Sequence, residues 1–212
     1  MIKHIIWDWN GTLIDDVLIC VNILNLALQK NRKTKITLEK YRNSFFFPVA
    51  KFYASIGLPS FGREYDLLSE FFICEYRNQL DECCLHKGAI GVIKELNSLG
   101  LSQSILSAGM QRDLEKFVTH YGLNDWIFNI DGANNIEACG KEDRALCHFS
   151  KLGLNPNQVL LVGDTLHDWE VSQLIGCNMI FFEQGHTSKE RFRSCNAQSV
   201  ESLSRIVELV RD

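Results

Sequence analysis

Three prolines in 212 residues, and no Ser/Gly-rich tract, leave the chain without any stretch that reads as a flexible linker. No apolar run approaches the ~20 residues needed to span a bilayer, so no membrane partner is expected. Lys and Arg never cluster into a basic stripe, and the formal net charge is -4. Both facts weigh against a nucleic-acid backbone as partner. None of the eight cysteines (Cys20, Cys74, Cys83, Cys84, Cys139, Cys147, Cys177 and Cys195) forms a C-x-x-C pair. The N-terminus carries no signal-peptide pattern and reads as a strand that starts the fold. Free, mostly buried thiols in a reducing compartment, and a cytoplasmic protein, are the expectation.

What is present suits a substantial core: 46% of residues are hydrophobic and 23% charged. Short apolar runs alternate with longer amphipathic ones, the pattern of a parallel sheet covered by helices. Strands are predicted at His4–Trp9, Gln103–Ala108, Ile127–Asp131, Gln158–Gly163 and Met179–Glu183. Helices are predicted at Ala89–Leu99, Gln111–Tyr121, Glu142–Leu152, Asp168–Leu174 and Val200–Val210. The alternation stops between about Asp16 and His86, where helical spacing over Val17–Lys30 and Tyr65–Leu80 flanks a turn at Phe45–Pro48 and a short helix at Val49–Ile56. The predicted fold class is therefore α/β: a Rossmann-like parallel sheet, residues 1–15 and 88–212, with an inserted small α-helical cap domain, residues 16–87. In an open α/β sheet ligands bind beyond the carboxyl ends of the strands, so an insertion after the first strand overhangs that crevice.

The chemistry-bearing residues cluster at those strand ends. Asp8 closes the first strand and is followed by Asn10-Gly11-Thr12, a Gly turn whose N–H groups are candidates to hold phosphate oxygens. Asp164 and Asp168 follow the fourth predicted strand, although Asp168 also suits a helix N-cap. Carboxylates from two neighbouring strand ends make an oxygen site for a hard divalent cation such as Mg²⁺. Ser107-Ala108 ends the second strand with a small hydroxyl, and Lys141 opens a helix where its ammonium would offset the carboxylates. A turn-forming serine and a solvated surface lysine are the plainer readings of those two.

The ordered set Asp8-x-Asn10-Gly11-Thr12, Ser107, Lys141 and Gly163-Asp164-x-x-x-Asp168 resembles the four motifs of the haloacid dehalogenase superfamily. The inserted helices resemble the cap of its phosphoglycolate phosphatase-like subgroup. The resemblance implies a Mg²⁺-dependent phosphatase acting on a small phosphorylated metabolite. It makes Asp8 the nucleophile and a metal ligand, with Asn10 adding its backbone carbonyl to the metal. Asp164 becomes the acidic ligand and Asp168 a supporting one. Ser107 and Lys141 would bind the phosphoryl oxygens, beside Gly11, Thr12 and Ala108.

One position departs from the family. Its phosphatases carry a second aspartate where this chain has Asn10, and a carboxamide cannot shuttle a proton. Three accounts follow: a substrate with a good leaving group, a proton from a cap residue (His86 or His167), or a site retained for binding alone. Phosphonate-cleaving relatives also lack that aspartate and use a cap lysine, for which Lys51 is the candidate, though a solvent-facing lysine is its plainer reading. Trp7 and Trp9 are expected to pack on the core face opposite Asp8. Phe45–Phe47 are assigned either to the crevice or to a buried junction, His186 to a loop near the crevice, and His4 to a structural role.

Overall fold

The computed structural model describes residues 1–79, 83–136 and 140–211. Leu80, at the end of one predicted helix, and Cys139 lie outside them. A six-stranded, all-parallel sheet is built from β1 (His4–Trp7), β4 (Ser102–Met110), β5 (Asn129–Ala133), β6 (Val159–Gly163), β7 (Asn178–Phe182) and β8 (Gln198–Val200), in the order β5-β4-β1-β6-β7-β8. Its central register pairs Trp7 with Ile105 on one side and with Val162 on the other. Asp8 and Asp164 directly follow β1 and β6, whereas Ser107 and Ala108 do not end their strand as expected but lie within β4 at an irregularity of register between Leu106 and Met110.

Alternation along β1 sorts its side chains. Ile5 and Trp7 join one core layer under α5 (Ala89–Ser98), α6 (Gln111–His120) and α9 (Ser204–Arg211). Ile6 joins the opposite layer under α7 (Glu142–Ser150) and α8 (Leu166–Ile175). Burial on both faces explains why the strands read as continuous apolar runs and not as alternating ones. Trp7 and Trp9 lie in the same layer, as expected. The Trp7 indole donates to Gln103 Oε1 at 3.0 Å, and Trp9 packs on Phe117 and Tyr121.

The inserted helices α1 (Val17–Lys30), α2 (Leu38–Ser44), α3 (Val49–Ser55) and α4 (Gly62–Asn78) follow a short strand, β2 (Ile14–Asp15), which pairs antiparallel with β3 (Cys84–Leu85). Val17, Val21, Leu24 and Leu28 recur at helical spacing on α1 and bury against Tyr41, Phe45, Phe52 and Tyr53, giving the insertion its own hydrophobic cluster. Another stripe of α1, Cys20 and Ile23, packs into the sheet layer. The helix therefore joins the two clusters.

Several elements differ from expectation. The last helix begins at Ser204 and not at Val200, because 198–200 adds a sixth strand beside β7. β5 starts two residues late: Ile127 is spent on core packing before pairing begins. Helix α2 had no counterpart; Thr37 caps it by accepting from the Lys40 N–H at 3.1 Å. The described cysteines are not mostly buried as expected: Cys74, Cys84 and Cys147 are exposed, Cys195 is half-buried, and Cys20, Cys83 and Cys177 are buried. The exposed three lie on outward faces or at the surface ribbon, where an apolar neighbourhood in sequence does not become burial.

His4 is structural, held between Ser102 Oγ at 2.6 Å and Ser104 Oγ at 2.7 Å, with Ser104 in turn bonded to His148 and His148 to Asp131. Burial, aided by nearby His148, pushes the His4 imidazole down to about 4. The unfolded chain would take up this proton near pH 6.5 and the fold only near pH 4. The unfolded state therefore binds more protons between those values, and stability falls as pH drops across the window. His4→Gln is expected to flatten that loss, which amounts to on the order of 3 kcal/mol. Urea midpoints between pH 7 and 4 measure it, and equal pH slopes in both proteins would contradict it.

Candidate active site

The site is a set of buried charges at the carboxyl edge of the sheet. Lys141 stands in the N-cap position of α7 and is only 2% exposed. Its Nζ donates to Asp8 Oδ1 at 2.6 Å and to the Leu106 carbonyl at 3.0 Å, and it is ion-paired with Asp168. The surface-lysine reading is therefore wrong. Asp168 occupies the third position of α8 in a reciprocal capping box with Thr165. The N-cap is Thr165 and not Asp168, against the plainer reading; Asp168 closes the box from inside the first turn and also holds the ammonium. Asp164 is fully buried, accepting from the Thr12 hydroxyl at 2.8 Å and from the His186 N–H at 2.5 Å.

Carboxylate oxygens of Asp8, Asp164 and Asp168 lie within 4.8 Å of one another. Burial raises the Asp8 carboxyl well above the usual range, against the pull of Lys141. Burial likewise pushes Asp164 up to about 6. Burial would also raise Asp168, but the Lys141 ammonium outweighs it and holds that carboxyl low. One ammonium thus serves two of the three buried carboxylates, and the remaining negative charge is what an oxygen-seeking divalent cation would neutralise. The donor set fits such an ion.

Gly11 and Gly185 make room for this cluster. At Gly11, with φ +75°, a Cβ would sit 2.5 Å from Asp164 Oδ2; at Gly185 it would collide with the same carboxyl. The expectation that Gly11 and Thr12 offer free N–H groups needs correcting. The Gly11 N–H is bonded to Ile14 O and to Asp16 Oδ1, and the Thr12 N–H points back to Trp9 O at 3.3 Å. The turn closes on itself, and the Thr12 hydroxyl is committed to Asp164. Ser107 and Ala108 do line the cavity beside Asp8. Ser107 Oγ accepts from the Gly109 N–H at 2.9 Å and reaches Asn10 Oδ1 at 3.5 Å.

A second network was not anticipated. Asp16 stands at the N-cap of α1 yet makes no cap bond. It turns inward and accepts from Asn10 Nδ2 at 2.7 Å and from the Tyr76 hydroxyl at 2.8 Å, with His186 Nε2 at 3.3 Å. His186 also meets the Tyr41 hydroxyl at 2.9 Å. Burial lowers the affinity of this ring for a proton, but Asp16 overrides it and holds the imidazole up to about 9. The acidic pair Asp15-Asp16 before an apolar helix is the only sequence trace of this hub, and it reads as a cap.

The other candidates separate cleanly. His167 lies on α8, outside the inserted helices, where its Nε2 accepts the Lys141 N–H at 3.0 Å and its ring faces Phe47. His86 contacts the Gly11 carbonyl at 3.2 Å and the Phe182 ring, on the side of the sheet. Lys51 is exposed on α3 and does not line the cavity, in keeping with its plainer reading. Phe45 and Phe47 line the cavity, and Phe45 is also buried in the cluster of the inserted helices, so both readings of that run hold for it.

Residues 5–182 match the family model for haloacid dehalogenase-like hydrolase. The chain belongs to the haloacid dehalogenase-like hydrolases. Across 222 aligned residues, all of this chain and 97% of the relative, it is 21% identical to a phosphoglycolate phosphatase of Chromobacterium violaceum. An uncharacterized hydrolase of Saccharomyces cerevisiae is 25% identical over 130 residues, and that alignment spans 59% of each chain. The fold is shared with a haloacid dehalogenase-like family protein from Streptococcus pneumoniae, TM-score 0.82 at 16% identity, covering 99% of this chain and 98% of that one.

Removing the shared counter-charge tests the electrostatic reading of the site. Lys141→Met should destabilise the fold by about 3–5 kcal/mol, because Asp8 and Asp168 would be left buried without their counter-charge. Equilibrium urea unfolding at neutral pH reads this directly, and a loss under about 1 kcal/mol would mean the ion pairs contribute little.

Proposed function

We propose that this hydrolase is a Mg²⁺-dependent phosphatase that hydrolyses a small phosphorylated metabolite, most simply a phosphomonoester, through an aspartyl-phosphate on Asp8. The observation that carries the reading is the convergence of Asp8, Asp164 and Asp168 on one point, with the Lys141 ammonium paired to Asp8 and Asp168. Asp8, Asp164, Asp168 and the Asn10 carbonyl would hold the ion. Bound there, Mg²⁺ supplies the positive charge that lets an anionic nucleophile approach an anionic phosphate.

The chain's own groups do the rest. Asp8 attacks phosphorus in line, the bond to the leaving oxygen breaks, and water later cleaves the aspartyl-phosphate. Lys141 and the Ser107 hydroxyl hold phosphoryl oxygens as charge gathers on them. The inserted residues 16–87 act as the cap over this site. A cytoplasmic enzyme is the simplest setting for free thiols and a metabolite substrate.

Asn10 sets the limit on turnover. Its amide donates to Asp16 and to the Tyr76 hydroxyl, which fixes its orientation but gives it no proton to release. General acid–base assistance is typically worth ~10²–10⁴-fold, so alkyl phosphates should turn over slowly. The phosphonate-cleaving alternative finds no support at Lys51, which is exposed.

With Mg²⁺ present, acetyl phosphate hydrolysis is expected, to be abolished by Asp8→Asn and by chelation. Exchanging the two side chains in Asn10→Asp/Asp16→Asn keeps the hydrogen-bonded pair and moves the carboxylate next to the leaving oxygen. That variant should raise turnover of an alkyl phosphate by ~10²-fold or more. Acetyl phosphate hydrolysis that persists in Asp8→Asn would defeat the proposal. Wild-type silence with activity in the exchanged variant would identify a site that binds without turning over.

A further inference from the structure

The cavity next to Asp8 carries information about the leaving group. It has a volume of about 180 Å³, comparable with the ~150 Å³ of an apolar cavity that takes up a benzene ring. Most of its wall is apolar and much of that aromatic: Leu24 of α1, Phe45 after α2, Phe52 of α3, Phe72 of α4 and Phe117 of α6 line it, with polar groups such as Tyr53 and Ser69 between them. Such a wall gains from desolvating a ring or alkyl group.

Charge points the same way. Among the described residues lining the cavity, Lys141 is the sole Lys or Arg, and it is already shared by Asp8 and Asp168. The undescribed residues 80–82, 137–139 and 212 include no Lys or Arg. The lining histidines are occupied as well, His167 by the Lys141 N–H and His186 by Asp16 and Tyr41. Asp16 and Asp113 also line the cavity, but each is already paired, Asp16 with His186 and Asp113 with Arg77 at 2.9 Å. A second carboxylate carried by the substrate would enter a wall whose described cations are all engaged, and so without a counter-charge of its own. The third observation is chemical. With Asn10 in place of an acid, the leaving oxygen departs unprotonated, which suits a phenol-like group near pKa 10 far better than an alkoxide.

We propose that the substrate is a phosphomonoester whose leaving group is neutral, apolar and about the size of one ring, best an aryl phosphate, and not a carboxylate-bearing ester such as phosphoglycolate. The inference rests on the phosphatase reading of the same site. In the first step the bond from an Asp8 carboxylate oxygen to phosphorus forms and the phosphorus–oxygen bond to the ring breaks. The phenolate leaves with the electron pair and is protonated by solvent. Water then releases inorganic phosphate from Asp8.

The test compares kcat/KM of the full chain with Mg²⁺ on acetyl phosphate, phenyl phosphate, cyclohexyl phosphate and phosphoglycolate. Phenyl phosphate should exceed phosphoglycolate by ~10²-fold or more. Cyclohexyl phosphate should match it in KM while falling in kcat, which separates recognition of the apolar group from its ease of departure. Binding without chemistry is read by inhibition of acetyl phosphate hydrolysis: phenylphosphonate should inhibit at least ~10-fold more tightly than phosphonoacetate. Phe72→Arg, which adds a cation to the wall, should shift the preference toward phosphoglycolate. Asp8-dependent hydrolysis with phosphoglycolate equal to or better than phenyl phosphate would overturn this inference and leave the phosphatase reading standing. Failure on all four compounds would overturn that reading, and this one with it.

Discussion

The buried ammonium of Lys141, held between Asp8 and Asp168, is the interaction on which the rest of the site depends. Three carboxylates brought together out of water repel one another and favour their protonated forms. Lys141, itself 2% exposed, pairs with two of them while His186 lies against the third, and the cluster forms but is left short of positive charge. The same arithmetic that makes the site costly for the fold makes it receptive to a divalent ion. Lys141 reaches this position because it caps α7 after β5, far in sequence from Asp8 but beside it at the sheet edge.

Around that pair the molecule divides its labour by layer. The parallel sheet is buried on both faces and carries the strand-end acids at fixed spacing. The inserted helices contribute little charge and much aromatic surface. They meet the sheet through α1, whose two stripes serve two hydrophobic clusters, and through the loop after β7. There Arg42 donates to the Gly185 carbonyl at 2.8 Å and Arg191 donates to the Phe45 carbonyl at 2.5 Å. Cavity shape therefore follows from contacts between the inserted helices and that loop.

Much of this was legible in the sequence because it is local. Asp8 and Asp164 were readable as strand-end acids, since a run of apolar residues followed by a Gly turn has few other outcomes. Helix α1 was readable to the residue from its 3.6 period. Other features had no local signature. The strand at 198–200 is short and polar. Helix α2 shows only a Thr cap. The Asp16 hub joins residues 60 to 170 positions apart, so no window along the chain contains it. Gly11 and Thr12 misled for a different reason: the turn was recognised correctly, but its N–H groups were already claimed by its own carbonyls and by Asp16. Local rules identify turns; they do not say which partner wins a donor.

The capping box at the start of α8 has a consequence for how the site assembles. Asp168 closes the first turn of that helix through Thr165 and, with the same carboxylate, anchors the Lys141 ammonium. Fraying of that turn would release the lysine, and withdrawal of the lysine would leave the turn's acid without its countercharge. Order in a helix terminus and order in the charge cluster are thus one cooperative event, so whatever protects the backbone amides of α8 from solvent exchange also protects the geometry around Asp8.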